Sequence, residues 1–90
     1  MSFLDRFKPQ PRWKHTDPAI RAAAVPEIPD DPEHRGVIEE LAAADEDVRV
    51  RTAAIARVAD VGSLVRLARS EADADLRRQI AEWLIQESSG

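Results

Sequence analysis

The stretch that decides the fold is "DVRVRTAAIARV", Asp47–Val58, because its skeleton is written three times. "DPAIRAAAVPEI" begins at Asp17, and "DADLRRQIAEWL" begins, more loosely, at Asp73. With the aspartates aligned, offset 3 is Ile20, Val50 and Leu76, and offset 4 is Arg21, Arg51 and Arg77. Offset 7 is Ala24, Ala54 and Ile80; offset 8 is Val25, Ile55 and Ala81; offset 11 is Ile28, Val58 and Leu84. Offsets 3, 7 and 11 make one helical stripe, with 6 and 8 beside it. Each copy therefore predicts an amphipathic helix with a broad buried face, and its alanines permit close approach of a neighbouring helix. Asp17, Asp47 and Asp73 are the expected N-caps, since a carboxylate accepts an unpaired N–H of the first turn and suits the positive end of the helix dipole. Pro18 occupies the favoured first helical position.

The arginines at offset 4 need a separate reason, because a cation near a helix N-terminus opposes the dipole. Three at one offset predict a common partner. A capping aspartate of the same or an adjacent copy, gripped in bidentate fashion, is the expected one. The capped helices also have antecedents. Ile38, Leu41 and Ala42 precede Asp47 as Leu64, Leu67 and Ala68 precede Asp73, with short acidic turns between. Each unit thus reads as a helical hairpin. Asp31-Pro32 is expected to open one first helix; Gly62 is expected to end a hairpin and Ser63 to cap the next helix. The period is 30 residues from Asp17 to Asp47 and 26 from Asp47 to Asp73. Self-similarity on this scale predicts an all-α fold, a short solenoid of about 2.5 stacked hairpins.

"DPAIRAAAV", "DVRVRTAAIARV" and "DADLRRQIAEWL" resemble the second helices of HEAT-like repeats, including the short bacterial type of phycobilin lyase-associated proteins. The opening "FKPQPRWKHTDPAIRAAAV" is similar to the start of a bacterial family of unknown function, whose members carry HEAT-like repeats before a long charged helical region. The resemblance spans residues 17–85. It implies a right-handed stack of hairpins and a protein-binding or scaffolding role, and it implies no catalytic residue. The phycobilin lyase likeness also implies a second reading, an accessory subunit of a lyase-type enzyme.

Charge is divided along the chain. Net charge is −4 over 90 residues. Residues 1–16 hold Arg6, Lys8, Arg12 and Lys14 against Asp5, a balance of +3, leaving −7 on the remainder. The remainder is a poor match for nucleic acid, whose binding rests on clustered Lys and Arg. Residues 1–16 are thus expected to form a basic, aromatic cap or tail, and residues 17–87 the repeat domain. Phe3, Leu4 and Phe7 share a helical face that would close an open end of the stack. The same tail, with Trp13, offers a membrane-surface or partner anchor and the one plausible route to nucleic-acid or ribosome association. Pro26, Pro29 and Pro32 either break one helix and start the next or form a polyproline ligand. Trp83 replaces Glu27 and Arg57 at offset 10 and is either an end cap or part of an interface, with a partner or with a second copy through the C-terminal edge.

Offsets 2, 5 and 9 face away from the core stripe. They name Arg49, Thr52, Arg78 and Glu82, with Trp13 and Trp83, as candidate partner-binding residues. No cofactor or metal is expected. His34 beside Asp31 and Glu33, and His15 beside Asp17, lack ligand spacing. Only three glycines are present and they form no phosphate loop. Asp45, Glu46 and Asp47 are expected on solvated turns, without the burial that raised-pKa acid chemistry needs. An enzyme is not expected. The chain lacks cysteine, an apolar run near 18 residues and a recognisable secretory signal, so a cytoplasmic setting is expected.

Overall fold

The computed structural model describes residues 10–89. Among these there are five α-helices and no strand: α1 (Pro18–Ala24), α2 (Pro32–Ala44), α3 (Val48–Ile55), α4 (Val61–Ser70) and α5 (Ala74–Ser89). Short 3-10 turns at Arg12–Lys14 and Val25–Glu27 flank α1.

Every helix starts at an aspartate. Asp17 accepts from the Ala19 N–H at 2.9 Å, Asp31 from His34 at 3.0 Å and Asp47 from Arg49 at 2.8 Å. Asp60 accepts from Ser63 at 2.8 Å, and Asp73 from Leu76 at 2.9 Å. Each bond satisfies a first-turn donor that would otherwise lack a partner. The α4 cap corrects the expectation for Gly62 and Ser63. Gly62 lies inside the first turn of α4, and Ser63 is buried one turn in, its hydroxyl donating to Asp60 at 2.9 Å. Asp60 competes better than Ser63 because one carboxylate oxygen takes both the N–H and the O–H of Ser63.

Helix ends follow local chemistry. Pro26 has no N–H and α1 stops at Ala24, passing into the 3-10 turn. The third repeat motif keeps its helix through offset 11, but α3 ends at Ile55, short of Val58. There the Arg57 side chain turns back to donate to the carbonyls of Val25, at 2.9 Å, and Ile28, at 2.5 Å. A turn at Ala56–Arg57 makes that reach geometrically feasible.

The core follows the aligned offsets. Val50 and Leu76 at offset 3, and Ala24, Ala54 and Ile80 at offset 7, are buried. So are Val25 and Ile55 at offset 8, whereas Ala81 is exposed. Offset 6 is less buried than its place beside the stripe suggests: Ala53 is half-buried, and Ala23 and Gln79 are exposed. From the first helices come Ile38, Ala42, Leu64 and Leu67. The helices pack in a regular scheme. α2 lies on α3 and α4 on α5; in the other direction α1 lies on α3, α3 on α5 and α2 on α4.

Ile80 is fully buried on α5. Ile80→Ala is expected to lower the unfolding free energy by about 2–5 kcal/mol in urea titration, the range for truncating a buried isoleucine. A loss under about 1 kcal/mol would place α5 outside the shared core.

Candidate interaction surface and the arginine joints

Two of the three arginines at offset 4 do the same work in the same register. Arg21 donates from Nε to Asp45 Oδ2 at 3.0 Å and from Nη2 to Oδ1 at 3.1 Å. Arg51 donates from Nε to Glu71 Oε1 at 2.9 Å and from Nη2 to Oε2 at 3.0 Å. Both are fork-on-fork pairs. The remaining Nη1 of each reaches a main-chain carbonyl two residues before its own cap. Arg21 donates to His15 O at 2.9 Å, and also to Thr16 O at 3.0 Å; Arg51 donates to Asp45 O at 2.7 Å. The two carboxylates also lie two residues before a cap, that of the following unit. Asp45 Oδ1 accepts the Asp47 N–H at 3.0 Å and Glu71 Oε2 accepts the Asp73 N–H at 2.9 Å.

The expected partner is thereby corrected. The arginines bind the acid two residues ahead of a capping aspartate, not the capping aspartate. Asp17, Asp47 and Asp73 are engaged with the N–H groups of their own helices. The expectation that Asp45 is solvated is corrected too. The Asp45 side chain is only 6% exposed and that of Glu71 3%. Each is a desolvated carboxylate paired with a guanidinium. In turn the carboxylates hold the Arg21 and Arg51 guanidinium groups above their ordinary pKa, through the hydrogen bond first. The third rung is open: Arg77 is exposed and has no ion pair with a described residue. An acid two residues before the second and third repeat caps, Asp47 and Asp73, was the available sequence signal, masked because one copy uses Asp and the other Glu.

The candidate strip lies on α3 and α5. Arg49 grips Asp47 through Nε at 3.1 Å and Nη2 at 3.0 Å. The Thr52 hydroxyl donates to Val48 O at 2.7 Å, a bond within the helix. Arg78 pairs with Asp75 at 2.6 Å, both strongly exposed, and Glu82 is exposed. Exposed pairs of this type contribute roughly 0–1 kcal/mol, so their charges can exchange partners at little cost.

The tryptophans occupy opposite parts of the chain. Trp13 is half-buried against the core, its ring edge-on to His34 with centroids 6.0 Å apart. The adjacent Arg12 pairs with Glu27. Trp13, Lys14, Val37, Glu40 and Leu41 border an open groove of 460 Å³. Trp83 is half-buried and packs toward the core beside a 210 Å³ groove that also touches Ile55, Val58 and Leu64. Phe3, Leu4, Phe7, Arg6 and Lys8 lie outside the described residues. The proline run ends α1 at Pro26 and opens α2 at Pro32.

The histidines serve turns. His34 Nδ1 lies 2.6 Å from Asp31 Oδ1, and this contact holds the Asp31 carboxyl below its usual pKa. His15 Nδ1 accepts the Asp17 N–H at 2.9 Å, the bond that Asp45 and Glu71 accept in the later units. Among the described residues no group of three His, Asp or Glu is placed to hold a metal ion, and no helix is long and apolar enough to cross a membrane.

A scan against protein-family models finds no match to the chain. Searches of curated proteins and of solved structures find no significant similarity.

Asp47 supplies a pH test. Side-chain hydrogen bonds from Arg49, followed by the Arg49 N–H, lower its pKa from 3.8 to about 2. A depressed carboxyl contributes stability above its unfolded pKa and loses it as pH falls toward the folded value. Thermal stability should therefore fall between pH 3.8 and about 2. Asp47→Asn should make that fall shallower while lowering stability at neutral pH. Parallel acid profiles for the two proteins would contradict the assignment.

Proposed function

We propose that the chain is a short HEAT-like α-solenoid of about 2.5 repeats that acts as a protein-interaction module without catalysis. The recurring arginine joint carries this reading. The same side chain, at the same offset, ties one hairpin to the next at Arg21–Asp45 and Arg51–Glu71. Joints repeated in register favour a structure that grows by adding units, and such structures serve binding through extended surfaces. The packing of α1 on α3 and α3 on α5 supports the same reading. It sets the second helices side by side, with Arg49, Thr52, Arg78 and Glu82 on their outer faces. The local ion pairs of Arg49 and Arg78 keep those faces solvated until a partner offers replacement carboxylates.

The test is affinity capture from the native lysate on the immobilised chain, compared with Arg78→Ala/Glu82→Ala. Both side chains are exposed, so the melting temperature should be unchanged. The expected result is a stoichiometric protein partner held by the natural chain and lost by the variant. Capture of no protein, or equal capture by both, would contradict the proposed surface.

A further inference from the structure

The open third rung has a defined chemistry. At the two closed joints, offset 4 is an arginine whose side chain is 13% or 15% exposed, clamped on a carboxylate. Offset 8 is covered as well: Val25 is 0% and Ile55 1% exposed. In the last unit the equivalent positions are uncovered. Arg77 and Ala81 are exposed, and one turn further Ile85 is 66% exposed. The three lie four residues apart, on one face of α5. This edge therefore repeats the cationic half of a joint, and no described residue supplies the acidic half.

The acidic half is equally well defined. At both closed joints it is a turn reading acid-x-Asp, with the acid two residues before a helix cap and accepting that cap's N–H. A second folded copy of the chain does not supply one. Its Asp45 and Glu71 are already held by Arg21 and Arg51. Its first unit carries His15 at the corresponding place, with Nδ1 taking over the turn bond and no carboxylate to offer.

We infer that the C-terminal edge of α5 docks a helical hairpin from a partner whose connecting turn reads acid-x-Asp, with Arg77 clamping the acid and Ala81 and Ile85 covered by the incoming helix. This inference rests on the proposed interaction role and names its partner's chemistry. It assigns a different surface from the Arg49–Glu82 strip, so failure at one surface leaves the other standing.

The probe is a synthetic peptide of residues 61–90, which contains Glu71-Ala72-Asp73 without Arg51. Isothermal titration calorimetry into the full chain should show saturable one-to-one binding. Arg77→Met in the chain, or Glu71→Gln in the peptide, should weaken it by roughly tenfold or more, the usual effect of losing a charge-assisted bond. Arg35→Met in the chain, at an exposed site on α2, should leave it unchanged. No binding, or binding indifferent to Arg77→Met, would overturn the inference. So would binding that responds to Arg51→Met and not to Arg77→Met, because the peptide would then be replacing the chain's own α4–α5 hairpin.

Discussion

The structure depends on two desolvated carboxylates, Asp45 and Glu71, each tied to an arginine from the preceding unit. Apolar packing stabilises the helices together but has little directional preference. A face built from Ala24, Ala54, Val25 and Ile55 offers few shape features to stop one helix sliding along another. A bidentate guanidinium–carboxylate pair is strongly directional. It also binds the turn. Arg51 joins the Asp45 carbonyl to Glu71, while Asp45 itself receives Arg21. Consecutive joints are therefore mechanically linked, and each sets the place of the next.

Burying such a pair has a cost. Taking two charges from water can consume most of their mutual attraction, so a well-packed apolar replacement can be equally stable. Here the remaining polar atoms are partnered: each carboxylate accepts a cap N–H, each guanidinium donates to a carbonyl, and no buried side-chain polar atom among the described residues lacks a partner. The pairs therefore act on register more than on net stability. Removing one member is a different matter, because it strands the other in a dry site.

Much of the helical order was legible because its causes are local. Asp17, Asp31, Asp47 and Asp73 cap as their positions imply, and Pro26 ends α1. The start of α4 was ambiguous because Asp60 and Ser63 are both good caps three residues apart, and the bond between them settles the choice. The end of α3 was hidden because Arg57 is drawn toward carbonyls 29 and 32 residues away. The arginine partners were hidden for the same reason. Asp45 and Glu71 lie 24 and 20 residues from their arginines and differ in type, so alignment on the aspartates passes over them. Of the candidate surface residues, Trp13 and Trp83 stood out in the sequence as departures from the repeat. Their half-buried packing depends on neighbours that only folding brings together.

The central claim is that the Arg51–Glu71 pair couples consecutive hairpins. A double-mutant cycle with Arg51→Met and Glu71→Leu, read as unfolding free energy in urea, tests it directly. The account predicts that Arg51→Met alone costs on the order of 3 kcal/mol, because it leaves Glu71 buried and unpaired. It predicts that adding Glu71→Leu restores a large part, a coupling of about 1.5 kcal/mol or more. Additive losses, with coupling below about 0.5 kcal/mol, would contradict it.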